Sequence, residues 1–189
     1  MTLNSTSNTQ QPVLGNIINL EPLSQQKHNQ EKHGQTSTDR NYGKGKNYEE
    51  KVFDDLVDRG YTKITKGCGN AYTKPHPTVL RDSEGSRLCS CDFVAERDGI
   101  IEYIEAKGGV TGRVNSQRKQ TSGARRSVSV KLALYNGVLF KKRIPNSRYI
   151  VYFSQEPAPK SPSDIAIKDA LEDNIVDEVR YLHFYETTD

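Results

Sequence analysis

Asp92, Glu105 and Lys107 are the residues of this chain whose types and spacing could do chemistry. They lie in two short runs, Cys91-Asp92-Phe93-Val94 and Ile104-Glu105-Ala106-Lys107, on either side of Arg97-Asp98-Gly99. Asp-Gly between two apolar-alternating segments is a strong signal for a two-residue hairpin turn, because both central positions of a primed turn need positive φ. If Arg97 pairs with Ile100, Asp92 falls directly opposite Glu105 on one face. Lys107 shares that face two residues further on, roughly 7 Å along the strand. Two facing carboxylates repel unless a positive charge lies between them, and a divalent cation with oxygen ligands supplies it. The same residues could also form a cross-strand salt-bridge ladder on a wet face.

The elements that must hold these groups favour the cation. The segment from Ile100 to Gly109 is apolar enough to be central to a sheet, where charges are seldom placed without a task. Its closing Gly108-Gly109 permits close approach of a ligand or backbone. Upstream, Tyr48, Val52, Phe53, Leu56 and Val57 recur at helical spacing, predicting a helix from about Lys46 to Arg59 with Gly60 as its stop. Glu49 lies along the buried side of that helix. A carboxylate there wants a partner, although a place at the helix N-terminus also suits its charge.

Asp92, followed after twelve residues by Glu105-Ala106-Lys107, resembles the PD-(D/E)XK nuclease superfamily, which includes many restriction endonucleases, resolvases and some RNA-cutting toxins. The superfamily often has a preceding helix with a Glu, an apolar residue three positions on, a Leu seven on and a Gly eleven on; Glu49, Val52, Leu56 and Gly60 match. Cys91 stands where the pattern commonly has Pro, a loosely kept position. The resemblance implies an α/β fold, a restriction-endonuclease-like mixed sheet flanked by helices with an αβββαβ core. It implies a catalytic set of Glu49, Asp92, Glu105 and Lys107. One or two Mg2+ ions, replaceable by Mn2+, would be held by Asp92, Glu105 and the Ala106 carbonyl with help from Glu49. Lys107 would orient or help deprotonate the attacking water. Gln120 and Arg125 fall where the superfamily carries auxiliary polar residues on a helix, although Gly123 interrupts it.

The 189 residues carry a net charge of only +3, but the charge is segregated. No Asp or Glu occurs between Gly108 and Gln155, which hold Arg113, Arg118, Lys119, Arg125, Arg126, Lys131, Lys141, Lys142, Arg143 and Arg148, whereas the stretch from Glu156 to Asp189 is acidic. A positive field beside the acids is expected where a phosphate backbone docks, so Arg113, Arg118, Lys119, Gln120, Arg125 and Arg126 are the expected nucleic-acid contacts. A solvated basic face without a ligand is the plainer alternative. Residues 1–45 are rich in Asn, Gln, Ser and Thr and are expected to form a flexible polar region ahead of a domain spanning 46–189. A start without a basic, apolar leader and the lack of an apolar run of about 20 residues predict a soluble, cytoplasmic protein.

Cys68, Cys89 and Cys91 are too few and too clustered for a disulfide framework and lack zinc-site spacing, so they are expected to be free buried thiols. His76, between Pro75 and Pro77, is not taken as a ligand. Gly43-Lys44-Gly45-Lys46 lacks the Lys-Ser/Thr ending of a phosphate loop and is assigned as a basic linker. The remaining elements are expected as a strand at Tyr61–Lys66 followed by a long loop to Leu88, a helix at Ser129–Tyr135, a strand at Arg148–Ser154, a helix at Ser161–Asp173 and a strand at Glu178–Tyr185. These features point first to an Mg-dependent DNA endonuclease of restriction or repair type acting as a homodimer. The alternatives are an RNA-cutting nuclease such as a tRNA-directed toxin, and a nucleic-acid-binding module with vestigial carboxylates.

Overall fold

The structure, a computed structural model, describes residues 37–67, 75–109, 113–114, 118–119 and 122–184. The chain runs through helix α1 (Ser37–Asp58), strand β1 (Thr62–Lys66), a hairpin of β2 (Val79–Arg81) and β3 (Arg87–Ser90), then strands β4 (Phe93–Arg97) and β5 (Ile100–Lys107). Two short strands, β6 (Arg113–Val114) and β7 (Arg118–Lys119), and a 3-10 turn (Gly123–Arg125) lead into α2 (Ser127–Arg143), β8 (Arg148–Phe153), α3 (Pro162–Glu172) and β9 (Glu178–Tyr181). Five strands form one mixed sheet in the order β1-β4-β5-β8-β9. The first three are antiparallel, and β5, β8 and β9 run parallel. The protein is therefore of the α/β class. Among the described residues no helix is long and apolar enough to cross a membrane.

The β4–β5 register follows from its turn. Asp98 and Gly99 both have positive φ, 54° and 76°, and Arg97 pairs with Ile100, continuing in step to Phe93 with Ile104. That register places Asp92 opposite Glu105, and the Asp92 amide donates to the Ile104 carbonyl at 3.0 Å. Alternation then divides the core in two. Ile104, Phe93, Ile150 and Tyr152 meet Tyr48, Val52 and Leu56 of α1 on one face. Tyr103, Val94, Val151 and Phe153 meet Val130, Ala133 and Phe140 of α2 and Ile167 and Ala170 of α3 on the other. Burial of each large apolar side chain contributes about 1.5–3 kcal/mol. Strand β8 is buried on both sides, as a near-continuous apolar run in a central parallel strand should be. Ser161 caps α3, its Oγ accepting from the Asp164 amide at 3.2 Å, with Pro162 opening the helix.

Several boundaries differ from the sequence expectation. Helix α1 reaches back to Ser37, ahead of the apolar stripe that marks its packed half. The stretch expected as a loop up to Leu88 contains the β2–β3 hairpin. Helix α2 does not stop at Tyr135 but runs on through Asn136-Gly137 to the basic Lys141-Lys142-Arg143, whose charges suit a helix C-terminus. Gln120 lies outside the described residues, and Arg125 belongs to the 3-10 turn, because Gly123 (φ 56°) sits so close to Ser154 and Gln155 that the backbone bends there before α2 begins. Residues 1–36, 68–74 with Cys68, and Tyr185 also lie outside the described residues.

Gly108 locks α1 onto the end of β5. A Cβ at this position would overlap ring carbons Cδ1 and Cε1 of Tyr48, which is only 1% exposed and has little room to yield. Gly109 has nothing within 4 Å of the equivalent atom. Gly108→Ala should therefore lower stability by about 1–3 kcal/mol, the usual cost of overpacking, and Gly109→Ala should change it little. Denaturant midpoints of the two variants check this, and equal midpoints would refute the close packing.

Candidate active site

Glu105 and Lys107 lie near the end of β5 on the face that looks towards α2. The Lys107 ammonium pairs with Glu105 Oε1, and the Asn136 side chain of α2 donates to the same oxygen at 3.4 Å. Asp92 is drawn against the backbone of β5, where its Oδ2 accepts from the Ala106 amide at 2.7 Å. Glu49 approaches from α1, one residue after the tyrosine that packs on Gly108, and its Oε2 lies 3.8 Å from Lys66 Nζ. Gly67 lets the end of β1 close on this region: its amide donates to the Asp92 carbonyl at 2.6 Å, and a Cβ there would meet Cys91 O at 3.1 Å. Asp92 and Lys107 thus come within electrostatic reach of both Glu49 and Glu105.

With Glu105 ionised the charges do not balance. Three carboxylates, Glu49, Asp92 and Glu105, face two ammonium groups, Lys66 and Lys107. Burial pushes the Glu105 carboxyl up to about 8, with the Asp92 charge adding to the rise and Lys107 and Asn136 opposing it. Glu49 moves the same way, again through burial first and Asp92 second, against the pull of Lys66 and Lys107. Burial by itself would strip Lys107 of its proton, but the Glu105, Asp92 and Glu49 charges outweigh it and hold the ammonium above its usual range. Glu105 is only 2% exposed, and its Oε2 is buried without a hydrogen-bond partner. An unsatisfied buried carboxylate oxygen costs about 1–3 kcal/mol or more.

That oxygen tests whether the site fits a cation. A hard divalent ion takes oxygen donors, and Glu105 Oε2, Asp92 and Glu49 are all of that kind, so by donor type they could hold Mg2+. Among the described residues no three Asp, Glu, His or Cys side chains stand gathered as a finished cage; Lys107 and Asn136 engage Glu105 Oε1 instead.

The expected basic contacts are placed unevenly. Arg125 and Arg126 are exposed just ahead of α2. Their turn is fastened by the Ala124 amide to the Gln155 carbonyl at 3.1 Å, and the neighbouring Ser154 amide donates to the Lys107 carbonyl at 3.3 Å, which puts the two arginines at the Lys107 end of the sheet. Arg113 and Lys119, and Val114 and Arg118, pair across the β6–β7 ladder. Cys89 and Cys91 are free buried thiols, raised chiefly by burial. His76 Nδ1 is engaged by Thr78 Oγ1 at 2.8 Å. Lys66 and Asn136 were not singled out by sequence reasoning. Lys66 pairs with Phe93, the residue after Asp92, so only the β1–β4 register reveals it. Asn136 falls between Ala133, Gly137 and Phe140, three buried positions of one helix, and that spacing was a usable signal. The chain has no significant match to any family model, any curated protein or any solved structure.

Proposed function

We propose that the cluster is the active site of a metal-dependent endonuclease of the PD-(D/E)XK type that hydrolyses DNA phosphodiester bonds. The observation that carries this reading is the buried, unpartnered Glu105 Oε2, set opposite Asp92 and beside Lys107 in a cluster that carries one negative charge in excess once Glu105 is ionised. Further support comes from the order of the main-sheet elements, in which α1 and the antiparallel strands β1, β4 and β5 are followed by α2 and the parallel strand β8.

Asp92 and Glu105, with the Ala106 carbonyl and Glu49, would hold one or two Mg2+ ions, which when bound polarise the scissile phosphate and lower the pKa of a nearby water. The protein's own contributions follow from the charges. Lys107, whose ammonium form the neighbouring carboxylates favour, would act as a hydrogen-bond donor that orients water and stabilises negative charge developing on phosphate. Arg125 and Arg126 supply positive charge for the backbone of the substrate. A homodimer is the proposed assembly, because cutting both strands of a duplex takes two sites.

Purified protein incubated with plasmid DNA and with total RNA, in Mg2+, in Mn2+ and in chelator, tests the reading. DNA should be cut with either ion and spared in chelator. Cutting of RNA alone would move the substrate to RNA while keeping the chemistry. Failure to bind Mg2+ or to cut either polymer would leave a binding module with vestigial carboxylates.

A further inference from the structure

We infer that Asn136 is a positioning residue that fixes the Glu105 carboxylate for cation binding, an inference that rests on the proposed nuclease site. The Asn136 Nδ2 group has two hydrogens and two acceptors within reach, Glu105 Oε1 at 3.4 Å and the Ser90 carbonyl at 3.3 Å. Ser90 ends β3, two residues before Asp92, and Glu105 is in β5. One amide therefore ties the strand that carries one acid to the segment that delivers the other. With Lys107 and Asn136 both on Oε1, the carboxylate has a defined orientation, and Oε2 is the oxygen left over.

The helix is built to bring Asn136 this close. Gly137 stands where a Cβ would meet the Ile175 carbonyl at 2.9 Å and the Tyr149 ring at 3.1 Å, so α2 lies tighter on the sheet than a larger residue would allow. Asn is a poor helix former, because its side chain competes for backbone hydrogen bonds. Its place in the middle of α2, on the margin of the buried face, has a reason if the amide serves the site. Groups that orient a metal-binding carboxylate typically contribute 10- to 100-fold to ion affinity.

Asn136→Ala and Asn136→Leu, the second keeping the side-chain bulk without the donors, test this against a purely structural tie. The readouts are Mg2+ affinity by calorimetry without substrate, the Mg2+ dependence of cleavage, and KM for DNA. Both variants should bind Mg2+ about 10- to 100-fold more weakly, regain much of their kcat at high Mg2+ and keep the wild-type KM. Wild-type Mg2+ affinity in a folded variant, with stability alone reduced, would overturn the inference and leave the nuclease reading intact. A wild-type protein that neither binds Mg2+ nor cuts nucleic acid would overturn both.

Discussion

Asp92→Asn, Glu105→Gln and Lys107→Met should each lower the rate of phosphodiester cleavage by about 10³-fold or more while leaving the protein folded, since the loss of even one preorganised charge-stabilising donor costs 10²–10³. The three variants should differ in stability, and that difference identifies the site. Glu105→Gln removes an ionisable group that is buried with one oxygen unpartnered, so above neutral pH it should be inactive yet more stable than the wild type. Lys107→Met keeps the apolar stem but removes the cation that Glu105, Asp92 and Glu49 share, so it should be inactive and less stable. A residue that served only in a salt-bridge ladder would behave otherwise: its loss would alter stability and spare activity. Single-turnover cleavage rates and denaturation curves on the same preparations separate the two, and wild-type rates in all three variants would reject the site.

Why this site was legible in the sequence, and others were not, comes down to range. Asp98-Gly99 dictates its own turn, the turn dictates the register, and strand alternation carries that register out to Asp92, Glu105 and Lys107; every step is local. The apolar stripe of α1 and the buried run of β8 are local patterns too. Glu49 was nameable because helical spacing places it on the packed side of α1. By contrast, Asn136-Gly137 looks like the end of a helix until Tyr149 and the Ile175 carbonyl are known to press against Gly137. Gly123 breaks a would-be helix because Ser154 and Gln155, some thirty residues away in the chain, leave no room for a Cβ. The β2–β3 hairpin was missed because its strands are three and four residues long and carry arginines, too short for alternation to register. Lys66 reaches the site only through the β1–β4 pairing. Contacts of this kind are decided by packing between distant segments, which no single stretch of sequence contains.

Freed of divalent ions, the protein should lose stability as pH rises from about 5 to about 8, and Mg2+ should restore it. The sign follows from Glu105. Its carboxyl titrates near 8 in the folded protein against an ordinary value of 4.5, chiefly because it is buried. A folded-state value above the unfolded one means that the folded protein keeps a proton which the unfolded chain has already released. The stabilisation is then complete below 4.5 and is lost as pH climbs through 8, at a slope of about 1.4 kcal/mol per pH unit within that window. Glu49 shifts in the same direction and adds to the trend. Lys107 does not oppose it there, because its raised ammonium titrates above this range. Glu178, lowered by its hydrogen bond to Arg180, acts on the acid side of 4.5 and leaves the window untouched. A cation on Glu105 replaces the proton, and an ion at a hundred times its dissociation constant stabilises the folded state by about 2.7 kcal/mol. Melting curves between pH 5 and pH 8, in chelator and in Mg2+, should therefore diverge as pH rises. In Glu105→Gln the chelator curve should flatten and the response to Mg2+ should shrink. A wild-type protein that grows more stable across this window in chelator, or a Glu105→Gln variant that gains as much from Mg2+ as the wild type, would show that the buried carboxylate is not where the ion binds.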